Sequence, residues 1–453
     1  MITLSRRHIR SIRTMMSQAL GITSRKSPAP IGFQATNDGI TLTTSNETVA
    51  IRHTIPGAGT SEAFAIPLAA LAECEVRGDE VVTFRREGDS VTVEWRDGGI
   101  PQTARHDVLV NPAMPSNVES TAVCDQSLMR ALSDAVETAD REATRYALNC
   151  ILLRANGQIL ATDGRQAYVH DGFEFPWSED LLIPASRVLT RKELADVAEV
   201  AIGASDDCVQ VRAGEWELWL KINKDARFPR VDEHVPDPNA VTTTLQLADD
   251  DAQFLIKAMS RLPGAREMNA PITLDLNGQV AVRAQADEQL TELELSRSSR
   301  QGDEIRCNTN RNFLARAARL GFRDVHFHSP ESPAVCREGN RTYFWALLGK
   351  DGAIKATDNM QRIASVDRGG PQTTRPSTIE RPHMQTDKTR TPTSESQSAD
   401  SLTPLEAAEA LRDSLKESLA RTRELIATLR RRKKQSRLVE STLASLRQLQ
   451  DVA

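Results

Sequence analysis

The chain has 453 residues, 39% hydrophobic and 26% charged, with a net charge of −5, the proportions of an ordinary globular protein of two to four domains. No run of 18 apolar residues occurs, which excludes a transmembrane helix, and the basic N-terminal stretch MITLSRRHIRSIRTMMSQAL lacks the apolar core and small-residue cleavage site of a secretory signal. Residues 354–453 carry 18 basic and 13 acidic side chains while the other 353 carry 39 and 49; so acidic a body is unlike a simple DNA-coating protein unless its cations gather on one surface.

Residues 5–20 place Ile9, Ile12, Met16 and Leu20 at helical spacing. The segment GITLTTSNETVAIRHTI then alternates as a hairpin, PLAALAEC reads as a second short helix, and VVTFRREGDSVTVEW as further strands. The same order returns twice. A helix over 125–140 (Leu128, Leu132, Val136) precedes CILLRANGQILATDGRQAYV, the helix PASRVLTRKELADVA and the strands CVQVRAGEWELWLKI. A helix over 248–262 (Phe254, Leu255, Ala258, Met259) precedes ITLDLNGQVAVRAQADE and the helix TNRNFLARAARLG. The period is about 115 residues, and Pro115 and Pro229 close the first two repeats. This predicts an α+β protein of three tandem units, 1–119, 120–241 and 242–353.

Beyond Gly352 the composition shifts to Ser, Thr, Pro, Arg and Asp, which predicts a disordered linker over 354–403. Residues 404–453 read as a helical or coiled-coil tail. Its heptad seam runs through Ala408, Leu411, Leu415, Leu425, Leu429, Val439, Leu443 and Leu446 and is interrupted by Ser418, Thr422, Arg432 and Ser436. The run RRRKKQSR at 430–437 sits at the interruption. It suits either DNA phosphates or a solvated helix turn, and the seam suits a helical partner.

The six cysteines (Cys74, Cys124, Cys150, Cys208, Cys307, Cys336) are scattered, without a CxxC pair or a Cys/His cluster, as expected of reduced thiols in the cytoplasm. No Walker A loop, GxSxG or HExxH is present. The expectation is a protein with no catalytic residues, metal or cofactor, and Asp163 in ATDG reads as a turn residue.

Three motifs carry a family resemblance. RYALNC at 145–150 is similar to R-Y-x-L-N-G, ATDGRQAY at 161–168 to A-T-D-G-H-R-L-A, and LWLKINKDARFPRVDEHVP at 218–236 to a strand ending in G-R-F-P-x-Y-x-x-V-L-P. NRNFLARAARL, SPAV and YFWALL match more weakly. Together they resemble the bacterial DNA polymerase III β subunit, or sliding clamp, over about 350 residues in matching order; the tail has no counterpart there. The resemblance implies three clamp-fold domains per chain and a head-to-tail homodimeric ring around duplex DNA, with helices lining the hole. The ring would be nucleoid-associated in the cytoplasm, away from membranes, and would tether DNA polymerase III and clamp-loader subunits by short linear peptides. The alternative is a paralogue with this fold that acts as an adaptor or regulator through its tail.

For DNA the implied contacts are Arg6, Arg10 and Arg13, on a helix with no acidic residue between Ser5 and Leu20, together with Lys26, Arg145 and Tyr146. Phosphate contacts without base contacts suit a ring that slides. Arg130, Arg187, Arg191, Lys192, Lys257, Arg261, Arg311, Arg316 and Arg319 offer further charge on later helices. The implied peptide pocket comprises Leu148, Thr162, Gly164, Arg165, Gln166, Ala167, Pro229, Glu233, His234, Asn310, Phe313, Pro333, Phe344, Ala346 and Leu348. Leu148, Phe313 and Phe344 also suit plain core packing. Arg165-Gln166-Ala167 replaces the usual His-Arg-Leu. Glu233 and His234 stand where a basic and an aliphatic residue are common, and Ala346-Leu347-Leu348 replaces Met-Pro-Met.

Overall fold

A computed structural model describes residues 1–57, 61–75, 80–142 and 146–365. The first unit runs β1 (Ile2–Ser5), α1 (Arg6–Ala19), β2 (Pro30–Thr36), β3 (Gly39–Ser45), β4 (Val49–Pro56), β5 (Glu62–Pro67), α2 (Ala69–Glu73), β6 (Val81–Glu87), β7 (Ser90–Asp97) and β8 (Ile100–Asp107). The second runs β9 (Thr121–Asp125), α3 (Ser127–Thr138), β10 (Cys150–Leu153), β11 (Ile159–Thr162), β12 (Gln166–His170), β13 (Leu181–Pro184), α4 (Lys192–Ala195), β14 (Glu199–Ala204), β15 (Cys208–Ala213) and β16 (Trp216–Lys221). The third runs β17 (Thr243–Gln246), α5 (Asp249–Ala258), β18 (Pro271–Asp275), β19 (Ala281–Ala286), β20 (Gln289–Glu294), β21 (Ser299–Gly302), β22 (Arg306–Asn310), α6 (Arg311–Arg319), β23 (Asp324–Phe327), β24 (Ala334–Glu338) and β25 (Arg341–Trp345), and β26 (Gln361–Ala364) follows.

Each unit builds two sheets by one rule. The opening strand joins the last three strands, as in β1-β6-β7-β8, and the middle strands form the second sheet, as in β5-β2-β3-β4, except that β21 of the third unit pairs with its opening strand β17. Sheets then fuse across the junctions. β4 pairs antiparallel with β16, giving an eight-stranded sheet, and β12 pairs antiparallel with β25, giving a nine-stranded one. At the first junction Arg52 donates to Glu217 through Nε (2.9 Å) and Nη2 (2.6 Å), and His53 stacks on Trp216 with ring centroids 4.0 Å apart.

The helices cover the apolar face because their stripes fit it. In α1, Ile9, Ile12, Met15, Met16 and Ala19 are buried; in α3, Leu128, Met129, Ala131, Leu132 and Ala135. Helices also meet across junctions. α1 packs near α4, where Ser11 donates to Glu193 at 3.4 Å. Arg316 on α6 donates to the Asp134 carbonyl and Thr138 hydroxyl of α3 at 2.7 and 2.9 Å. No helix among the described residues is long and apolar enough to cross a membrane.

The expected boundary at 353 needs correction. Residues 354–365 are not linker but part of the third unit. Ile354 donates its N–H to Thr273 Oγ1 (2.9 Å) and accepts from Arg283 (3.1 Å), Met360 is buried, and β26 adds to β20 as a parallel strand. A polar-looking segment is ordered here because the sheet face beneath it offers polar partners. The remaining linker and the expected helical tail lie outside the described residues.

Candidate functional site

The ATDG motif forms the turn from β11 to β12. Asp163 Oδ1 accepts from the backbone N–H groups of Arg165 (2.8 Å) and Gln166 (2.9 Å), and its Oδ2 from Gln166 Nε2 (2.9 Å). Thr162 Oγ1 donates to the Gln166 carbonyl (2.6 Å) and accepts from the Gly164 N–H (3.0 Å). Gly164 has φ +85°, a conformation that glycine tolerates best, and a Cβ there would lie 3.7 Å from Leu148 Cδ1. The turn is held from the third unit as well: the Tyr343 hydroxyl donates to Gln166 Oε1 (2.6 Å), and the Ala346 N–H to the Arg165 carbonyl (2.8 Å).

This turn rims a groove of about 710 Å³ at the junction of the second and third units. Leu148, Thr162, Gly164, Arg165, Gln166, Ala167, Pro229, Glu233, His234, Pro333, Phe344 and Ala346 line it. Beneath lies an apolar cluster that includes Ala147, Leu152, Leu160, Ala167, Val231 and Phe344, so the floor is apolar and the rim polar, the usual character of a ligand groove. Three expected residues stand apart from the lining. Asn310 caps α6, accepting from the Asn312 N–H (2.9 Å), Phe313 packs half-buried on the main core, and Leu348 lies beyond β25 with its N–H on the Asn308 carbonyl (2.8 Å).

Sequence reasoning missed Arg227, Phe228, Arg230 and Val231. All four lie in the RFPRV string quoted for the resemblance, whose extended form around Pro229 could have pointed to them. Tyr146, expected at DNA, also lines this groove and is 41% exposed. Among the rim charges, Arg230 pairs with Glu233 at 3.1 Å, and a hydrogen bond from Arg154 holds the Asp232 carboxyl below the usual range.

The cations expected to face DNA divide. Positions 6, 9, 13 and 16 share one helical stripe, so Arg6 and Arg13 turn inward with Ile9 and Met16. Arg6 is 1% exposed, 3.3 Å from the Glu80 carboxylate, and donates to the Arg96 carbonyl. Its expected place at DNA is therefore corrected: a guanidinium so enclosed is out of reach of a phosphate. Arg13 lies 2.6 Å from Glu75, which Arg10 and Arg25 also approach, at 3.5 and 3.2 Å. Arg10 is 74% exposed, and Lys26 is exposed in the loop after α1. Arg145 lies outside the described residues. On later helices Arg130, Arg187, Lys192, Lys257, Arg261 and Arg319 are exposed.

Arg311 and Arg316 are buried and are likewise corrected. The Arg311 guanidinium donates to the carbonyls of Ala270, Met259, Leu262, Pro263 and Pro271 at 2.6–3.3 Å, so it ties the end of α5 to the start of β18. Burial pushes the Asp134 carboxyl, close to Arg316, up to about 6, partly offset by the charge of Arg316.

No protein-family model matches the sequence, and no curated protein matches it. Solved structures do. The DNA polymerase III subunit beta of Pseudomonas aeruginosa superimposes with a TM-score of 0.62 at 18% identity, covering 77% of this chain and 99% of its own. The DNA polymerase III beta chain of Streptococcus pneumoniae gives 0.62 at 14% identity, covering 76% and 98%. The beta subunit of Thermotoga maritima gives 0.60 at 13%, covering 79% and 99%. These alignments span almost the whole of each solved chain. This chain therefore has the α+β fold of the bacterial DNA polymerase III beta subunits, the sliding clamps.

Proposed function

We propose that this protein is a sliding clamp. Two copies join head to tail in a ring around duplex DNA, and the ring tethers a replicative polymerase, its loader and other DNA-processing proteins. It performs no chemistry of its own and needs no metal or cofactor. The observation that carries this reading is the repetition itself. One unit recurs three times with the same junction at each step, and its helices carry exposed cations in every unit, among them Arg10, Arg130 and Lys257. A surface of that kind holds phosphates without fixing a register on the sequence.

The groove between the second and third units is the place for partners' short peptides. Its apolar floor takes aliphatic or aromatic side chains, and the rim, with Arg165, Arg227 and Arg230, suits a peptide carrying acidic residues. The decisive experiment is retention on DNA. Loaded protein should remain on nicked circular DNA and leave after linearisation; equal loss from both forms would remove the ring. A second reading, a clamp-fold adaptor acting through residues 404–453, draws on one observation: the outer edge of β20 is already occupied by β26.

A further inference from the structure

The two internal junctions share one construction. The last strand of the second sheet in one unit (β4, β12) pairs antiparallel with the final strand of the next (β16, β25), over His53↔Trp216 to Val49↔Leu220 and Gln166↔Trp345 to His170↔Arg341. Carried one step on, the rule pairs β20 of one copy with β8 of a second. β8 has β7 on one side and no strand on the other among the described residues, and Ile100 at its start is 64% exposed. Charge fits too. β20 carries Glu292 and Glu294, β8 carries exposed Arg105, and the internal β4–β16 junction already uses an Arg–Glu pair, Arg52 with Glu217.

That edge of β20 is not free. After β25 the chain runs beside β22, where Leu348 and Gly349 exchange backbone hydrogen bonds with Asn308 (2.8 Å each). It then crosses the outer face of the sheet over Thr273 and Arg283, which hold the two sides of Ile354. It ends as β26 against β20, from Thr291↔Gln361 to Glu294↔Ala364. Arg362 Nε donates to Glu292 Oε1 at 3.0 Å, and the Ser365 N–H to the Glu294 carbonyl at 2.9 Å. β26 has four residues, all exposed, and its ladder is parallel, the slightly weaker arrangement. A longer antiparallel strand competes well against such a cover.

We propose that β26 is a displaceable cover on the closing edge of the ring: residues 361–364 and β8 of a second copy are mutually exclusive partners of β20, and the ring closes only where β26 lets go. The strap thus keeps an otherwise sticky edge paired in the single chain and sets the concentration at which two chains join. This rests on the ring reading above.

The test uses full-length chain in sedimentation velocity across a concentration series. In the double variant Arg362→Glu/Ile363→Asp, a carboxylate in place of the guanidinium faces Glu292 and β26 loosens, so dimerisation should strengthen by about tenfold or more. In Glu292→Cys/Arg362→Cys, an oxidised cross-link holds β26 in place; this form should stay monomeric and should dimerise after reduction with dithiothreitol. If the cross-linked chain dimerises like the wild type, or if the loosened variant dimerises no better, the cover is wrong while the ring stands. If no form dimerises at any concentration, loosened variant included, both readings fall.

Discussion

Arg316 Nη1 on α6 donates to Glu137 Oε2 on α3 at 2.7 Å, across the junction between the second and third units. The same guanidinium, 6% exposed, takes the Asp134 carbonyl and the Thr138 hydroxyl at the end of α3, where a cation also meets the negative end of the helix dipole. Arg316→Ala should cost about 3 kcal/mol, because it strands buried acceptors. Urea unfolding checks this. The salt dependence of DNA binding should be unchanged, which would separate Arg316 from the exposed Arg319.

For the exposed cations the outcome is reversed. Replacing Arg10, Arg130, Lys257 and Arg319 by Ala should leave the urea midpoint within experimental scatter. It should flatten the slope of log K against log salt by about 0.9 for each phosphate that is no longer neutralised. Arg6→Ala should instead destabilise by about 2 kcal/mol, since it opens a pair with Glu80. An unaltered slope in the fourfold variant would mean that these helices do not face DNA.

Gly164→Trp should abolish peptide binding in the groove. The side chain has to start beside Leu148, and the backbone sits at φ +85°. Gly164→Ala is the control: it should cost about 1 kcal/mol of stability through backbone strain and weaken the peptide little. Fluorescence polarisation with a labelled peptide of the clamp-binding type reads both. Equal affinity of wild type and the Trp variant would place the peptide elsewhere.

The first junction should be acid-sensitive. Burial against Trp216 pushes the His53 pKa down to about 4, partly offset by its hydrogen bond to the Glu215 carbonyl at 3.3 Å. A depressed folded-state pKa gives stability that is fully present above the unfolded value of 6.5 and is lost as pH falls toward 4. The loss should reach at most about 3 kcal/mol. Urea midpoints from pH 7 to pH 4 should fall less steeply in His53→Phe, which keeps the stacking and cannot be protonated; parallel curves would clear His53 of the effect.

Asp134 works in the opposite sense. Its pKa, raised from 3.8 to about 6 by burial, makes the ionised form costly in the fold, so its contribution is best below pH 3.8 and worsens as pH rises through 6. Asp134→Asn should therefore gain stability over the wild type at pH 8 and lose that gain near pH 4. A constant difference between the two across this range would rule out titration of Asp134.

The sequence by itself determined the repeat. Periodic apolar residues such as Ile9, Ile12 and Met16 in one helix, and Leu128 and Leu132 in another, mark local elements whose burial depends only on spacing. The ATDG turn was legible for the same reason, since Asp163 satisfies N–H groups two and three residues away. Tertiary structure decided what depends on distant partners. Arg6 and Arg311 read as surface cations, yet they sit on buried stripes, because Glu80 and the Arg96 carbonyl await the first and five carbonyls await the second. Residues 354–365 read as linker because they are polar. They are ordered because Thr273, Arg283 and Glu292 present polar groups on the strands of the very sheet that β26 joins. Composition measures whether a segment can bury apolar surface by itself, and it carries no record of a matching surface folded elsewhere in the chain.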